Sequence, residues 1–178
     1  MWRDRCSILE RDPRFAYMVS GVDPVLGIIP VTIDHMYADI EPFALGAAVP
    51  EEIRRLFDIG RNAYVYSWFE YGLMTLAEMQ AFAAFEMAIK SRAKIENSGL
   101  KPKPSLKTAI HHARANGWLR DEDFGFTGNP LQSMPVLDAL VVQRNHIMHG
   151  NEHLYQHGTL IAFDVCSRAI NRLFPSAS

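Results

Sequence analysis

Cysteine is scarce in this chain. Cys6 and Cys166 are the only two in 178 residues, too few and too far apart for a disulfide-dense secreted scaffold or a cysteine metal site. A reducing, cytoplasmic setting is expected. Nowhere does an apolar run reach the roughly 18 residues of a membrane span, and the charged start, MWRDRCSILERDPRF, has no apolar core of signal-peptide length. No membrane partner is expected. A basic surplus is missing as well: 18 Lys and Arg against 20 Asp and Glu leave a formal charge of -2 and a pI near 6.4. No whole-molecule field therefore steers the protein onto nucleic acid, and any such contact has to be local, in a pocket or at a seam between subunits. Repeats and low-complexity segments are also absent. What the chain does have is apolar content, 48% of it, enough for one domain with a single core.

Residues 1–48 hold four of the ten prolines and read as short extended pieces, with GIIPVTIDHMYADI as the best strand candidate. They are too short and interrupted to bury a core alone, so they are expected to form an irregular extension packed on a helical domain over residues 49–178. From Pro50 the character changes. PEEIRRLFDIGRNAYVYSWFEYGL starts with a proline and two glutamates and places Ile53, Phe57, Tyr64, Trp68 and Tyr71 near one stripe, which predicts a long helix. Thr75-Leu76-Ala77-Glu78 has the form of a capping box, followed by Met79, Phe82, Ala83, Glu86, Ile89 and Lys90 at helical spacing and a stop at Asn97-Ser98-Gly99. That stripe reads as core.

After KPKPS, Ser105 caps a shorter helix ended by Gly117. His111 and His112 point about 100° apart on it and read as surface residues. A loop follows, then a helix from Ser133 and Pro135 that ends near Gly150, and a last one over roughly Thr159 to Phe174, stopped by Pro175. About five helices with short connections make the class mainly α, an antiparallel bundle.

One stretch stands out, Arg144-Asn145-His146-Ile147-Met148-His149-Gly150, directly after the apolar run LDALVVQ. Asn145 and His149, four apart, share a helix face, and Arg144 lies about 140° from His149. Histidine titrates near neutral pH and takes a proton from a hydroxyl. Arginine stays charged and grips phosphate oxygens in a fork, and asparagine holds a phosphate or an imidazole tautomer. The same residues also suit a polar helix end, with His149 meeting the dipole and glycine capping. On spacing alone both readings stand. His146, His149, His153 and His157 recur at near-helical intervals that suit zinc in form, but Gly150 and Gly158 interrupt the register and no acid or cysteine completes the set, so no metal or cofactor is expected. Glu86, an acid inside AFAAFEMAI, is a second-tier binding candidate expected to pair with Arg144 or another base across the bundle; His146 is the other.

The motif resembles that of the HEPN superfamily of small α-helical bundles. Its signature is an arginine, then a polar residue that is often asparagine, then a histidine after four to six intervening positions. Arg144, Asn145 and His149 match that form, with the apolar run before and glycine after. The stretches AYVYSWFEYGLMTLAEMQAFAAFEMAIKSRAK and SLKTAIHHARANGWL resemble the helices that precede the motif in many members, so the likeness covers roughly residues 50–174. What it implies is a metal-independent endoribonuclease, plausible as a toxin or phage-defence effector with an antitoxin partner. Two copies would pair to build one composite site from both motifs. His149 would be the general base on a ribose 2′-hydroxyl, Arg144 would stabilise the phosphate transition state, and Asn145 would orient either. The products would be a 2′,3′-cyclic phosphate and a 5′-hydroxyl, which requires RNA. The alternative within the same resemblance is a non-catalytic module that binds nucleotide or forms a dimer. Toxin-type members often carry a tyrosine two residues after the histidine; here that position is Asn151, so nucleotidylation there is not implied.

Overall fold

The computed structural model describes residues 3–25, 27–125, 133–149 and 156–176. Among them the fold is mainly α, a helical bundle with one small two-stranded sheet. Strands β1 (Val19–Asp23) and β2 (Gly27–Pro30) pair antiparallel. Six α-helices follow: α1 (Ile33–Ile40), α2 (Glu51–Tyr66), α3 (Leu73–Ile95), α4 (Leu106–Ala115), α5 (Val136–Met148) and α6 (Gln156–Leu173). Five of them lie in the expected helical body; α1 is an addition in the N-terminal segment. No helix among the described residues is long and apolar enough to cross a membrane.

The N-terminal segment departs most from expectation. GIIPVTIDHMYADI is not one strand: β2 takes only Gly27–Pro30, and the rest winds into α1. The reason is a capping box written with a histidine. Thr32 accepts from the His35 amide, and the Thr32 amide donates back to His35 Nδ1 at 3.0 Å, which satisfies two end groups of the helix. Met36 and Ile40, four apart, are then buried, and with Phe15 and Val31 they join the same core as the helices.

Helix α2 buries Ile53, Phe57, Gly60 and Tyr64 along one face. It stops at Tyr66, short of the Trp68 and Tyr71 that its stripe includes. Two contacts explain the stop. The buried Ser67 hydroxyl donates to the Tyr64 carbonyl, and Asp12, 2% exposed, captures the backbone beyond it. The Asp12 amide donates to Trp68 O at 2.8 Å, and its carboxylate accepts from the Tyr71 amide at 3.0 Å. Burial opposes charge on Asp12, but the hydrogen bonds from Arg14 and from the Tyr71 backbone outweigh it and hold its pKa below the usual carboxylate range.

Helix α3 packs most extensively against α2 and α6. It begins at Leu73, because the turns at Glu70–Met74 already run into it, so Thr75 lies inside the first turn and the expected Thr75–Glu78 capping box does not form. The core reading holds for Phe82 and Ile89, but Ala83 is exposed and Met79, Glu86 and Lys90 are only half-buried; the buried face is wider and centred elsewhere, with Met74, Ala77, Glu78, Ala81 and Phe85. The approach of α2 is close at Gly60. A Cβ there would sit 3.0 Å from Ala77 O and 3.1 Å from Phe163 Cζ, so glycine lets three helices meet. Phe57 and Phe163 pack edge to face beside it, with centroids 5.2 Å apart.

The later helices follow their local signals. α3 ends where Asn97 and Gly99 take positive φ, Ser105 caps α4 by accepting from Thr108 N, and Gly117 takes φ 69° beyond α4's end. His112 is not a surface residue: it is half-buried, 2.7 Å from Ser98 Oγ and edge-on to Trp118, closing the α3–α4 corner, while His111 is exposed. Helix α6 begins at Gln156, earlier than the Thr159 expected.

Candidate functional site

Helix α5 carries the motif. Leu137 and Leu140 anchor its first half in the core, and Val141 and Ile147 pack partly against it. Polarity rises toward the C-terminal end. Val142, Asn145, His146 and His149, at positions i, i+3, i+4 and i+7, are all exposed and form one solvent face. Arg144 is half-buried at the edge of that face. The helix closes on His149, whose amide donates to the carbonyls of Asn145 and His146. Gly150, the expected terminator, lies outside the described residues.

Within this arrangement Arg144 Nη1 donates to Asn145 Oδ1 at 3.4 Å, a long bond. Among the described residues, no hydrogen bond or ion pair joins Arg144 to His149. The described residues therefore hold the three motif groups on one helix end, with Arg144 against Asn145 and His149 apart from both. Of the four histidines with near-helical spacing, His146 and His157 are exposed on different helices and His153 falls outside the described residues. No group of three or more His, Cys, Asp or Glu among the described residues is placed to share a metal.

Glu86 does not join the motif. It pairs at 2.5 Å with Lys90, four residues on along the same helix and partly exposed, so the expected cross-bundle partner Arg144 is replaced by a local one. The acid that does reach α5 is Glu78. It is 2% exposed, with one carboxylate oxygen accepting from Thr159 Oγ1 at 2.6 Å and the other from Gln143 Nε2 at 3.1 Å. Gln143 immediately precedes Arg144, so this carboxylate fixes the inner side of the helix turn whose outer side carries the motif. No cation pairs with Glu78 among the described residues, and burial pushes its pKa up despite both hydrogen bonds. A second, part-buried cluster lies at Gln156 of α6: Gln156 Nε2 donates to Tyr64 OH at 2.9 Å and to Asp39 at 3.1 Å.

Sequence reasoning missed Glu78 because Thr75-x-x-Glu78 looked like a helix start. A signal was present. Met74, Ala77, Ala81, Phe82 and Phe85 surround it at helical spacing, and no lysine or arginine stands three or four residues away. Set against protein-family models, curated proteins and solved structures, the chain matches none. Its function therefore has to be argued from the site itself.

Proposed function

We propose that this chain is a metal-independent endoribonuclease that works through the C-terminal turn of α5, with a second copy completing the site. The observation that carries the reading is the exposed face of α5: Asn145 and His149 side by side with Arg144 at the edge, joined among the described residues by one long hydrogen bond from Arg144 to Asn145, while Gln143 pins the opposite side to Glu78. Val142 and Met148, 44% and 52% exposed, put apolar surface beside those polar groups, the mixture a subunit seam uses. Two copies facing each other there would bring two arginines into one cleft and create the local positive potential that a net charge of -2 does not reveal.

In that cleft His149 takes the proton from a ribose 2′-hydroxyl as the 2′-oxygen bonds to phosphorus. Arg144 stabilises the charge that develops on the phosphoryl oxygens, and Asn145 orients the phosphate or the imidazole. The bond to the 5′-oxygen breaks, that oxygen takes up a proton, and a 2′,3′-cyclic phosphate and a 5′-hydroxyl remain. RNA is the substrate because DNA lacks the attacking hydroxyl. The setting that goes with this reading is the cytoplasm, with an antitoxin protein as the restraining partner.

The test is RNA cleavage by purified protein in EDTA. Cleavage should persist without divalent metal, and His149→Ala and Arg144→Ala should each lower it by about 100-fold or more. Sedimentation should show a dimer. Undiminished cleavage in both variants would sink the assignment. If no RNA is cut and the same variants lose only dimerisation, the α5 face is a binding module without chemistry.

A further inference from the structure

All five lysines of the chain, Lys90, Lys94, Lys101, Lys103 and Lys107, fall between residues 90 and 107, whereas its arginines are spread from Arg3 to Arg172. Four of them, Lys90 through Lys103, line one cavity of about 370 Å³ at the corner where α3 gives way to α4. Among the described residues six of the 13 arginines and one of the five lysines form ion pairs. Arg14, Arg61, Arg92, Arg114, Arg168 and Arg172 all sit in ion pairs. Among the lysines only Lys90 does, with Glu86; for Lys94, Lys101 and Lys103 no carboxylate lies within ion-pair distance among the described residues. Glu96, the other acid on the last turns of α3, is taken by Arg92.

Lys90, paired with Glu86, and Lys94 sit on the last turns of α3, where the helix dipole favours a cation; the other three lysines do not. Lys101, Lys103 and Lys107 crowd the N-terminal end of α4, where the helix dipole is positive and cations are disfavoured. Lys103 also has a left-handed backbone, φ 53°, between two prolines that stiffen the loop. Three lysines without an ion-pair partner among the described residues, Lys94, Lys101 and Lys103, share this concave, proline-stiffened corner, and the last two also face the positive end of α4; such a corner fits an anion better than it fits solvent. Among the described residues no aromatic ring lines the cavity, so nothing there stacks on a base.

We propose that this lysine pocket binds the phosphodiester backbone of single-stranded nucleic acid, as a second contact for the strand that the α5 motif cuts. It rests on the nucleic-acid reading above but not on cleavage. Lysines act here as point charges on phosphate oxygens, so the contact is indifferent to base sequence and to RNA against DNA, and strongly salt-dependent.

The test uses the full chain carrying His149→Ala, so that RNA stays intact, and follows binding of a fluorescent single-stranded RNA by anisotropy between 50 and 200 mM salt. Adding Lys94→Gln, Lys101→Gln and Lys103→Gln together should weaken binding at least tenfold. It should also flatten the plot of log affinity against log salt by about 2, since each lost contact to a single strand is worth about 0.7. The melting temperature should stay within roughly two degrees, because none of the three makes an ion pair among the described residues. A matched single-stranded DNA should behave alike. An unchanged affinity and salt slope in the triple variant would overturn the proposal. So would binding of inorganic phosphate as tight as that of the oligonucleotide, or a preference for anionic lipid vesicles over RNA. Lysine-dependent binding without cleavage by the parent chain would sink the nuclease reading and leave the pocket standing; cleavage with lysine-independent binding would do the reverse.

Discussion

Replacing Glu78 by glutamine should change stability in a pH-dependent way, gaining on the wild type as pH rises from acid to neutral. The carboxylate is 2% exposed, faces no cation among the described residues, and is held by one hydroxyl and one amide. Burial raises its folded-state pKa above the value in the unfolded chain, so between those two values the folded state binds more protons. The sign follows. The contribution of Glu78 to stability is fully present below the unfolded value, near 4.5, and is lost as pH rises through the folded one. Glutamine does not titrate and still offers an oxygen to Thr159, but its NH2 meets the Gln143 Nε2 that donates to Glu78, so Gln143 has to turn its amide over. That cost is the same at every pH, so the stability of Glu78→Gln relative to wild type should rise with pH by at most about 1.4 kcal/mol per unit and then level off. Glu78→Ala should destabilise at every pH. It takes the acceptor from Gln143 and Thr159, at about 1–3 kcal/mol for each buried group left unsatisfied, and opens a cavity as well. Urea unfolding midpoints for the three chains between pH 4 and pH 8 decide the matter. A difference between wild type and Glu78→Gln that is flat in pH, or in which Glu78→Gln loses ground as pH rises, would refute the reasoning.

Two further perturbations test the packing. Gly60→Ala gains about 1 kcal/mol of helix propensity, yet its Cβ would lie 3.0 Å from both Ala77 O and Gln80 Cβ, atoms that cannot swing aside, and such overpacking costs about 1–3 kcal/mol. A melting temperature lower by a few degrees is expected; a rise would show that α2 and α3 separate freely. Arg114→Met removes the guanidinium that binds Asp121 and, at 2.8 Å, Asp138, tying the end of α4 to the start of α5. Burial works against that charge, but the two carboxylates outweigh it and hold the pKa of Arg114 up. Two acids left facing each other in a partly exposed site should lower stability by about 1–3 kcal/mol, read from the urea midpoint.

How far the sequence revealed these features depends on how local their causes are. Helix α4 could be read almost entirely, because Ser105 and Gly117 act within a few residues of the turns they cap and end. The end of α2 could not, because the aspartate that captures Trp68 and Tyr71 stands more than fifty residues earlier, in a segment that reads as irregular. The two acids of α3 show the same division. Glu86 has its partner Lys90 one turn on, so a search across the bundle was unnecessary. Glu78 finds its partners on α5 and α6, and its pattern with Thr75 suggested a cap that the preceding turns made redundant. The motif was visible for the opposite reason: it lies on one helix end, where spacing alone puts Asn145 and His149 on one face. Whether a neighbour meets that face is not written in any local pattern.

That asymmetry bears on the nuclease reading. A buried polar group has to be satisfied by the fold, so Glu78, Gln143 and Thr159 constrain one another, and changing any of them disturbs the turn that carries Arg144. Asn145 and His149 are exposed, and among the described residues the one side-chain hydrogen bond of the two is the long one that Asn145 accepts from Arg144. Surface changes of that kind shift stability by about 0.5 kcal/mol or less. A His149→Ala chain should therefore melt with its parent, and a loss of RNA cleavage in it would report on chemistry. A Glu78→Ala chain that loses activity would not, because its α5 turn has lost its anchor. Recovery of activity in Glu78→Gln, which keeps an acceptor for Thr159, would place Glu78 behind the site as a support for α5 and leave His149 as the only group of the two that touches the substrate.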